Sequence, residues 1–307
     1  MTRAHTLAWA AWATICVVWG TTYLAIRVAL ETLPVFSLAG LRWLTAGLVL
    51  AGITLATGRR WPPRSSWPGL ALLGFLMNVV GNGFVVWAEQ FVPSGLTAVV
   101  VASVPFWSVG IEACLPAGER VRGGAVAGLV LGFLGIVVLV WPEISVGGQE
   151  GRAVLMGVLA LQVACVGWSL GTSYTKRRAL AVDPLAATSV QMIVSGVILL
   201  VLAMLAGEWP EVTFTGRTLA AMVHLILAGS TLAHRCMYAV AHLPISTVAL
   251  YAYVNPLIAV ALGALLLGEP FSTRIVLASA LVLAGIAVVR GVQSRRVPAA
   301  ATDRSRP

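Results

Sequence analysis

Asn78, Asn82 and Glu89 interrupt one long apolar stretch of the sequence, four and then seven residues apart. In a helix those steps bring all three to one face. A second apolar stretch carries His224, Thr231, Arg235 and Tyr238 at steps of seven, four and three, again one face, with His234 beside Arg235. Glu112 and Arg42 interrupt two more. Such groups are costly against hydrocarbon, so each must face a watery interior, bond a neighbouring helix or pair with an opposite charge. The chemistry open to them is solute binding and proton handling. Within a bilayer Glu112 is either protonated, which makes it a candidate proton-coupling group, or ion-paired, with Arg42 or Arg235 as the partners in reach. His234 is the second coupling candidate, because a neutral imidazole titrates near physiological pH. Asn78 and Asn82 are candidate cavity-lining groups, with interhelical hydrogen bonding as the other reading. Glu89, near the end of its stretch, is either solvated there or turned inward with them. Arg42 is a buried charge that needs a partner and is expected to be structural.

Other chemistries lack their residues. There is no HExxH, no Gly-rich phosphate loop, no serine-nucleophile motif and no Walker-type ATPase motif. The two aspartates are Asp183, between apolar runs, and Asp303, in the C-terminal tail. Cys16, Cys114, Cys165 and Cys236 lie inside apolar runs without metal-ligand or redox spacing. No catalytic centre, metal or cofactor is expected. The net charge of +9 comes from short basic clusters between apolar runs and from the tail, with no interleaved aromatic platform, so nucleic acid is not the expected partner.

The elements that must carry these groups follow from composition. The chain has 307 residues, 59% hydrophobic and 10% charged, where a soluble domain has about 25% charged. Apolar stretches of about 20 residues, enough to cross a bilayer core, recur from end to end. They predict spans near 7–29, 34–57, 68–91, 94–115, 123–141, 153–175, 185–206, 217–240, 245–267 and 273–290. Backbone groups in lipid must be satisfied within each span, so the spans are helices and the fold class is an all-α membrane protein. Trp9, Trp61, Trp67, Trp141 and Trp209 lie near span ends, where indole favours the headgroup zone. With a cytoplasmic N-terminus, fourteen basic residues fall inside (Arg3, Arg59, Arg60, Arg64, Arg120, Arg122, Lys176, Arg177, Arg178, Arg290, Arg295, Arg296, Arg304, Arg306) and four outside (Arg27, Arg152, Arg217, Arg274). That bias predicts a cell (plasma or inner) membrane protein with both termini cytoplasmic.

The sequence also repeats itself. "VPSGLTAVVVASVP" at 92–105 and "LPISTVALYAYVNP" at 243–256 share prolines at their second and last positions. "WGTTYLAIR" from Trp19 is echoed by "WSLGTSYTK" from Trp168, and "GER" at 118–120 by "GEP" at 268–270. These landmarks predict two halves, 1–145 and 150–290, followed by a basic disordered cytoplasmic tail at 291–307. Five spans per half is an odd number, so the second half enters the membrane from the opposite side, as in many secondary transporters. Pro93 and Pro244 are expected to begin spans 4 and 9, where a missing N–H does no harm. Pro105 and Pro256 fall mid-span and are expected to bend their helices as paired breaks or gates. Tyr251 and Asn255 stand just ahead of Pro256. Trp19 and Trp168 supply cavity walls or ordinary packing. Glu119 and Glu269 close spans 4 and 9 and are expected to stabilise the N-termini of spans 5 and 10, with a gate latch as the alternative.

"WGTTYLAIR", "FSLAGLR" (36–42), "SGLTAVVVASVPFWSVGIEACLPAGER" and "ISTVALYAYVNPLIAVALGALLLGEPF" resemble the landmarks of the ten-helix EamA-type transporters of the drug/metabolite transporter superfamily. The resemblance covers nearly the whole chain. It implies an exporter of small metabolites, often amino acids or related compounds, and a central cavity built by spans 1, 3, 4, 6, 8 and 9, whose hydrophobic walls with a few polar groups would also suit amines or small drugs. Trp19, Asn78, Asn82, Trp168, Tyr251 and Asn255 are then the expected cavity residues. Glu112 departs from the family pattern, in which span 4 is apolar. The leading expectation is a gradient-driven secondary transporter working by alternating access, with protons as a candidate coupling ion. A channel-like facilitator and a membrane-embedded group-transfer enzyme are the alternatives.

Overall fold

The structure is a computed structural model that describes residues 3–116, 123–145, 147–178, 181–240, 243, 245–248 and 250–294. Glu119, Pro244 and the tail beyond Ser294 therefore lie outside the described residues. Those residues form helices and turns without a strand. The long elements are α1 (Arg3–Ala29), α2 (Val35–Ala56), α5 (Gly123–Ser145), α6 (Gly148–Arg177), α7 (Pro184–Leu205) and α10 (Thr273–Ser294). Four more are interrupted. α3 is α-helical over Trp67–Gly74, π-helical over Phe75–Asn82 and α-helical again over Gly83–Ala88. α8 repeats that sandwich over Gly216–Val223, His224–Leu232 and Ala233–Ala239. α4 runs as Ser94–Val101 and Val104–Cys114, and α9 as Ile245–Val248 and Tyr251–Leu267. Eight of these helices are long and apolar enough to cross a membrane, and Tyr251–Leu267 and Thr273–Val289 are shorter apolar helices. Each matches one expected span, with α6 longer at both ends than the sequence suggests.

Helix ends are written locally. Pro93 caps α4, as expected. Asp183 accepts from the Leu185 and Ala186 amides at the start of α7, and Thr215 and Thr218 form a reciprocal capping box at the start of α8. Gly58 and Gly207, at φ of 66° and 71°, follow α2 and α7 in the left-handed conformation that closes a helix C-terminus. Burial alone would raise the Asp183 carboxyl, but the Ala186 and Leu185 amides and the Arg59 guanidinium outweigh it and hold the carboxyl below its ordinary value. A depressed carboxyl contributes stability above its unfolded value and loses it as pH falls through the folded one. Asp183→Ala is expected to lower stability by about 1 kcal/mol at neutral pH, and by less in acid, read from thermal unfolding in detergent.

In lipid no hydrophobic drive pulls helices together, so close packing must do so. Small residues provide it. α2 lies along α7 and α5 along α10, while α1 packs on α8 and α9, and α6 on α3 and α4. A Cβ built on Gly196 of α7 would stand 2.4 Å or more from the Leu44 backbone of α2. Trp43 and Phe106 are among the largest fully buried side chains. Leu205 and Leu265 sit at the other extreme, 80% and 79% exposed, on the surface that lipid would cover. Trp9, Trp61, Trp67, Trp141 and Trp209 are all exposed, in keeping with their expected place at span ends.

Two groups of helix ends are tied together. At the far end, where α1 finishes, Arg27 donates to the Glu89 carbonyl oxygen at the close of α3. There too the Glu208 carboxylate, beyond α7, accepts from the Phe36 and Ser37 amides that open α2, at 3.1 and 2.7 Å. Glu269, beyond α9, accepts from the Ser94 and Gly95 amides that open α4, at 2.7 and 3.0 Å. This corrects the expectation for Glu269, whose carboxylate serves the N-terminus of α4 rather than that of α10. At the near end, where α1 begins, Arg59 pairs with Asp183 at 2.8 Å and Trp12 donates to the Val248 carbonyl at 3.3 Å.

Candidate functional site

A cavity of about 520 Å³ lies among the helices. Its walls come from α1 (Trp19, Tyr23), α3 (Asn78, Asn82), α4 (Ala98, Pro105), α6 (Trp168, Thr175), α8 (Gly229, His234) and α9 (Tyr251, Asn255, Pro256). Trp19, Asn78, Asn82, Trp168, Tyr251 and Asn255 are all on this wall. Two further helices contribute, which the resemblance did not imply: α2 through Arg42 and Trp43, and α7 through Thr188, Gln191 and Met192. None of the described lining residues is acidic.

The polar wall is held by specific bonds. Asn78 donates to the Ser195 hydroxyl of α7 at 3.1 Å, so it both lines the cavity and joins two helices. Asn82 donates to the Met77 carbonyl at 3.0 Å, and Thr231 to the Ile226 carbonyl at 2.9 Å. Each bond reaches back five residues within a π-helical segment, where the wider turn presents carbonyls to side chains. With its amide assigned so that nitrogen faces acceptors and oxygen faces donors, Asn255 donates to the Cys16 and Tyr251 carbonyls, 3.0 Å each.

The aromatic wall leans on the same segments. Trp19 donates to the Gly229 carbonyl at 3.2 Å, inside the π-helical segment of α8. Its ring meets Tyr251 edge-on at 5.1 Å and His234 at 6.0 Å. Trp168 covers Gly81 in the π-helical segment of α3, so closely that a Cβ there would lie 2.6 Å from the indole nitrogen. No sequence signal marks the π-helical segments. His234 holds the Ser230 carbonyl through Nδ1 at 2.6 Å, and His224 contacts the Thr21 hydroxyl through Nε2 at 2.9 Å.

The helix breaks differ from the expected ones. The turn in α4 falls at Ala102 and Ser103, and Pro105 stands in the first turn of the second segment. Its fixed φ and missing N–H suit the start of a helix. The break in α9 precedes Tyr251, and Pro256 lies inside the second segment. The two prolines line the cavity without occupying equivalent places in their helices.

The charged candidates separate clearly. Glu112 lies outside the cavity wall. It accepts from Ser173 at 2.6 Å and pairs with Arg177 at 3.0 Å, a partner that neither Arg42 nor Arg235 supplies. Glu89 is fully buried rather than solvated, and neither carboxylate oxygen meets a donor among the described residues. Arg42 is 2% exposed, donates from Nε to Ser230 at 3.1 Å and stacks on Trp43 at 4.5 Å. It finds no carboxylate within ion-pair distance among the described residues.

A bundle of apolar helices around an internal hollow studded with amides, aromatic rings and one guanidinium defines a polytopic membrane protein with a solute-sized chamber. The model of the EamA-like transporter family matches residues 7–141 and again residues 155–291, and the chain belongs to that family, within the drug/metabolite transporter superfamily. It is 35% identical over 258 residues to the "Uncharacterized inner membrane transporter YedA" of Escherichia coli (strain K12), covering 83% of this chain and 81% of that protein. It is 26% identical over 277 residues to the "Uncharacterized transporter YvbV" of Bacillus subtilis (strain 168), covering 90% and 88%. A "Probable amino-acid metabolite efflux pump" of Escherichia coli (strain K12) is 29% identical over 164 residues, 53% of this chain and 51% of that protein. A solved crystal structure superposes with a TM-score of 0.65 at 24% identity, over 94% of this chain and 98% of that one, which is a likeness of fold.

Proposed function

We propose that the chain is a secondary transporter of small metabolites that works by alternating access, drives export from gradients and uses no ATP. The observation that carries this reading is a cavity walled by both halves of the chain, with helix ends bound to one another beyond it. At the far end Arg27, Glu208 and Glu269 bind helix ends to one another. Toward the near end the cavity wall continues to Thr175, two residues from the close of α6, and to Thr188, near the start of α7. The same ties support inverted halves. α1 finishes at the far end while α6, through Arg177 and its partner Glu112 on α4, finishes with α4 at the near end. In this reading the bias of basic residues makes the near end the cytoplasmic one. The test is counterflow of labelled metabolites in proteoliposomes. Saturable exchange is expected, and flux that never saturates would favour a channel-like facilitator.

The coupling ion in this reading is the proton, carried by Glu89 and not by Glu112. Glu112 already has an ion pair and a hydrogen bond outside the cavity. Glu89 is a buried carboxyl without a bonded partner among the described residues. Arg27 of α1, Arg42 of α2 and Glu269 beyond α9 act on it electrostatically. A charge there is costly unless a proton covers it or a helix moves. Glu89→Gln is expected to flatten the pH dependence of counterflow, and Glu112→Gln to leave it intact. The reverse pattern would return the coupling role to Glu112.

A further inference from the structure

We infer that the cavity takes a small organic carboxylate, whose carboxylate docks on Arg42 while an apolar or aromatic body lies against the rings of Trp19, Trp168 and Tyr251. This rests on the carrier reading above and adds the chemical class of its cargo. The guanidinium stays charged at every relevant pH. It is 2% exposed, lines the cavity, and its Nη1 has no hydrogen-bond partner. Nε is held by Ser230 and the plane is fixed by Trp43, so the fork is oriented before any solute arrives. A buried, oriented cation on the cavity wall, with one shielded nitrogen unsatisfied and no acidic residue among the described lining residues, favours an anion that reaches it as the wall gives way. Carboxylates match its geometry and add charge-assisted bonds.

The competing account makes Arg42 a strut that joins α2 to α8 through Ser230. A strut would use its donors on protein atoms, and Nη1 is left over. Glu89 acts on Arg42 from beyond ion-pair distance, so it is not the missing partner. An ammonium, conversely, finds no carboxylate among the lining residues. Amines, which suit a generic hydrophobic cavity, are therefore poor cargo here.

The test compares three probes that share one body: 3-phenylpropanoate, 3-phenylpropanamide and 3-phenylpropylamine. Each is titrated into the full detergent-purified chain and followed by quenching of the cavity tryptophans. The carboxylate is expected to bind on the order of tenfold to a hundredfold more tightly than the amide, as for hydrogen bonds to charged groups. The amine is expected to be weaker still. Arg42→Gln should erase that preference, and Arg42→Lys should keep part of it. Equal binding of amide and carboxylate, preference for the amine, or no binding of the carboxylate to the wild-type chain would each overturn the inference. That comparison needs no variant, so misfolding of Arg42→Gln cannot mask it. Carboxylate binding without exchange in proteoliposomes would sink the carrier reading alone, and exchange of amines but not carboxylates would sink this inference alone.

Discussion

Gly285→Leu is expected to remove the folded protein from the membrane. A Cβ at Gly285 of α10 would stand 2.6 Å from the Gly128 carbonyl oxygen and the Gly132 nitrogen of α5, and 2.7 Å from the Gly132 Cα. All three are backbone atoms and cannot rotate away. From the other side, a Cβ at Gly128 would meet the Gly285 carbonyl at 2.8 Å. The two helices can relieve the overlap only by separating, which gives up van der Waals contact along their whole seam. In lipid nothing replaces that contact except acyl chains, and packing is most of what holds helices together there. Overpacking a well-fitted interior costs about 1–3 kcal/mol and occasionally more. A branched side chain against backbone belongs at the upper end. The expected readout is loss of the monodisperse peak in fluorescence-detected size exclusion, with Gly285→Ala intermediate. Gly52→Ala, where nothing lies within 4 Å, is the neutral control. A normal peak for Gly285→Leu would mean that α5 and α10 do not meet as described.

Glu269→Gln is expected to loosen the far end of the cavity without unfolding the chain. The carboxylate accepts from two amides of the first turn of α4, and it sits at the positive end of a helix dipole. It reaches them because Gly268, left-handed at φ 65°, turns the chain back over the end of α9, and because Gly263 beneath it has no side chain. Glutamine keeps the shape but has one acceptor oxygen and no charge. The loss is about 1–2 kcal/mol, the range for a helix cap with a charged partner. A shift of 1.4 kcal/mol is about tenfold in a two-state equilibrium. The measurement is the labelling rate of a cysteine at Ala98, introduced after the four native cysteines are replaced, by an impermeant thiol reagent from the far side. About tenfold faster labelling in Glu269→Gln is the expected result. An unchanged rate would make the contact an ordinary cap, with no part in closing that end.

Much of this architecture was legible in the chain because it depends on local quantities. Apolar run length sets the helices, and Pro93 marks the start of α4. The stripe at Asn78 and Asn82 points inward because lipid excludes the alternative, whereas of the second stripe Thr231 is buried, Arg235 is exposed, and the adjacent His234 is the one on the cavity wall. What stayed hidden depends on which helices meet. Glu112 finds Arg177, two helices on, and Glu269 finds the start of α4, at sequence separations no spacing rule spans. Arg42 read as structural because a buried charge was assumed to have a partner, and the fold leaves one of its nitrogens without one. The break in α4 was assigned to Pro105, but proline opens a helix more readily than it bends one, and the turn falls just ahead of it. The π-helical segments were invisible, since a wider turn has no composition of its own.

Those two segments carry slack. Each winds surplus backbone into the turn at Phe75–Asn82 or His224–Leu232, and in each a side chain, Asn82 or Thr231, adds a bond to the carbonyl five residues back. Rewinding such a stretch by one residue would swivel everything beyond it by about 100°. The indole of Trp168 rests on one swivel and that of Trp19 on the other. Whatever fills the hollow presses on both rings, and so bears on the winding of both halves at once.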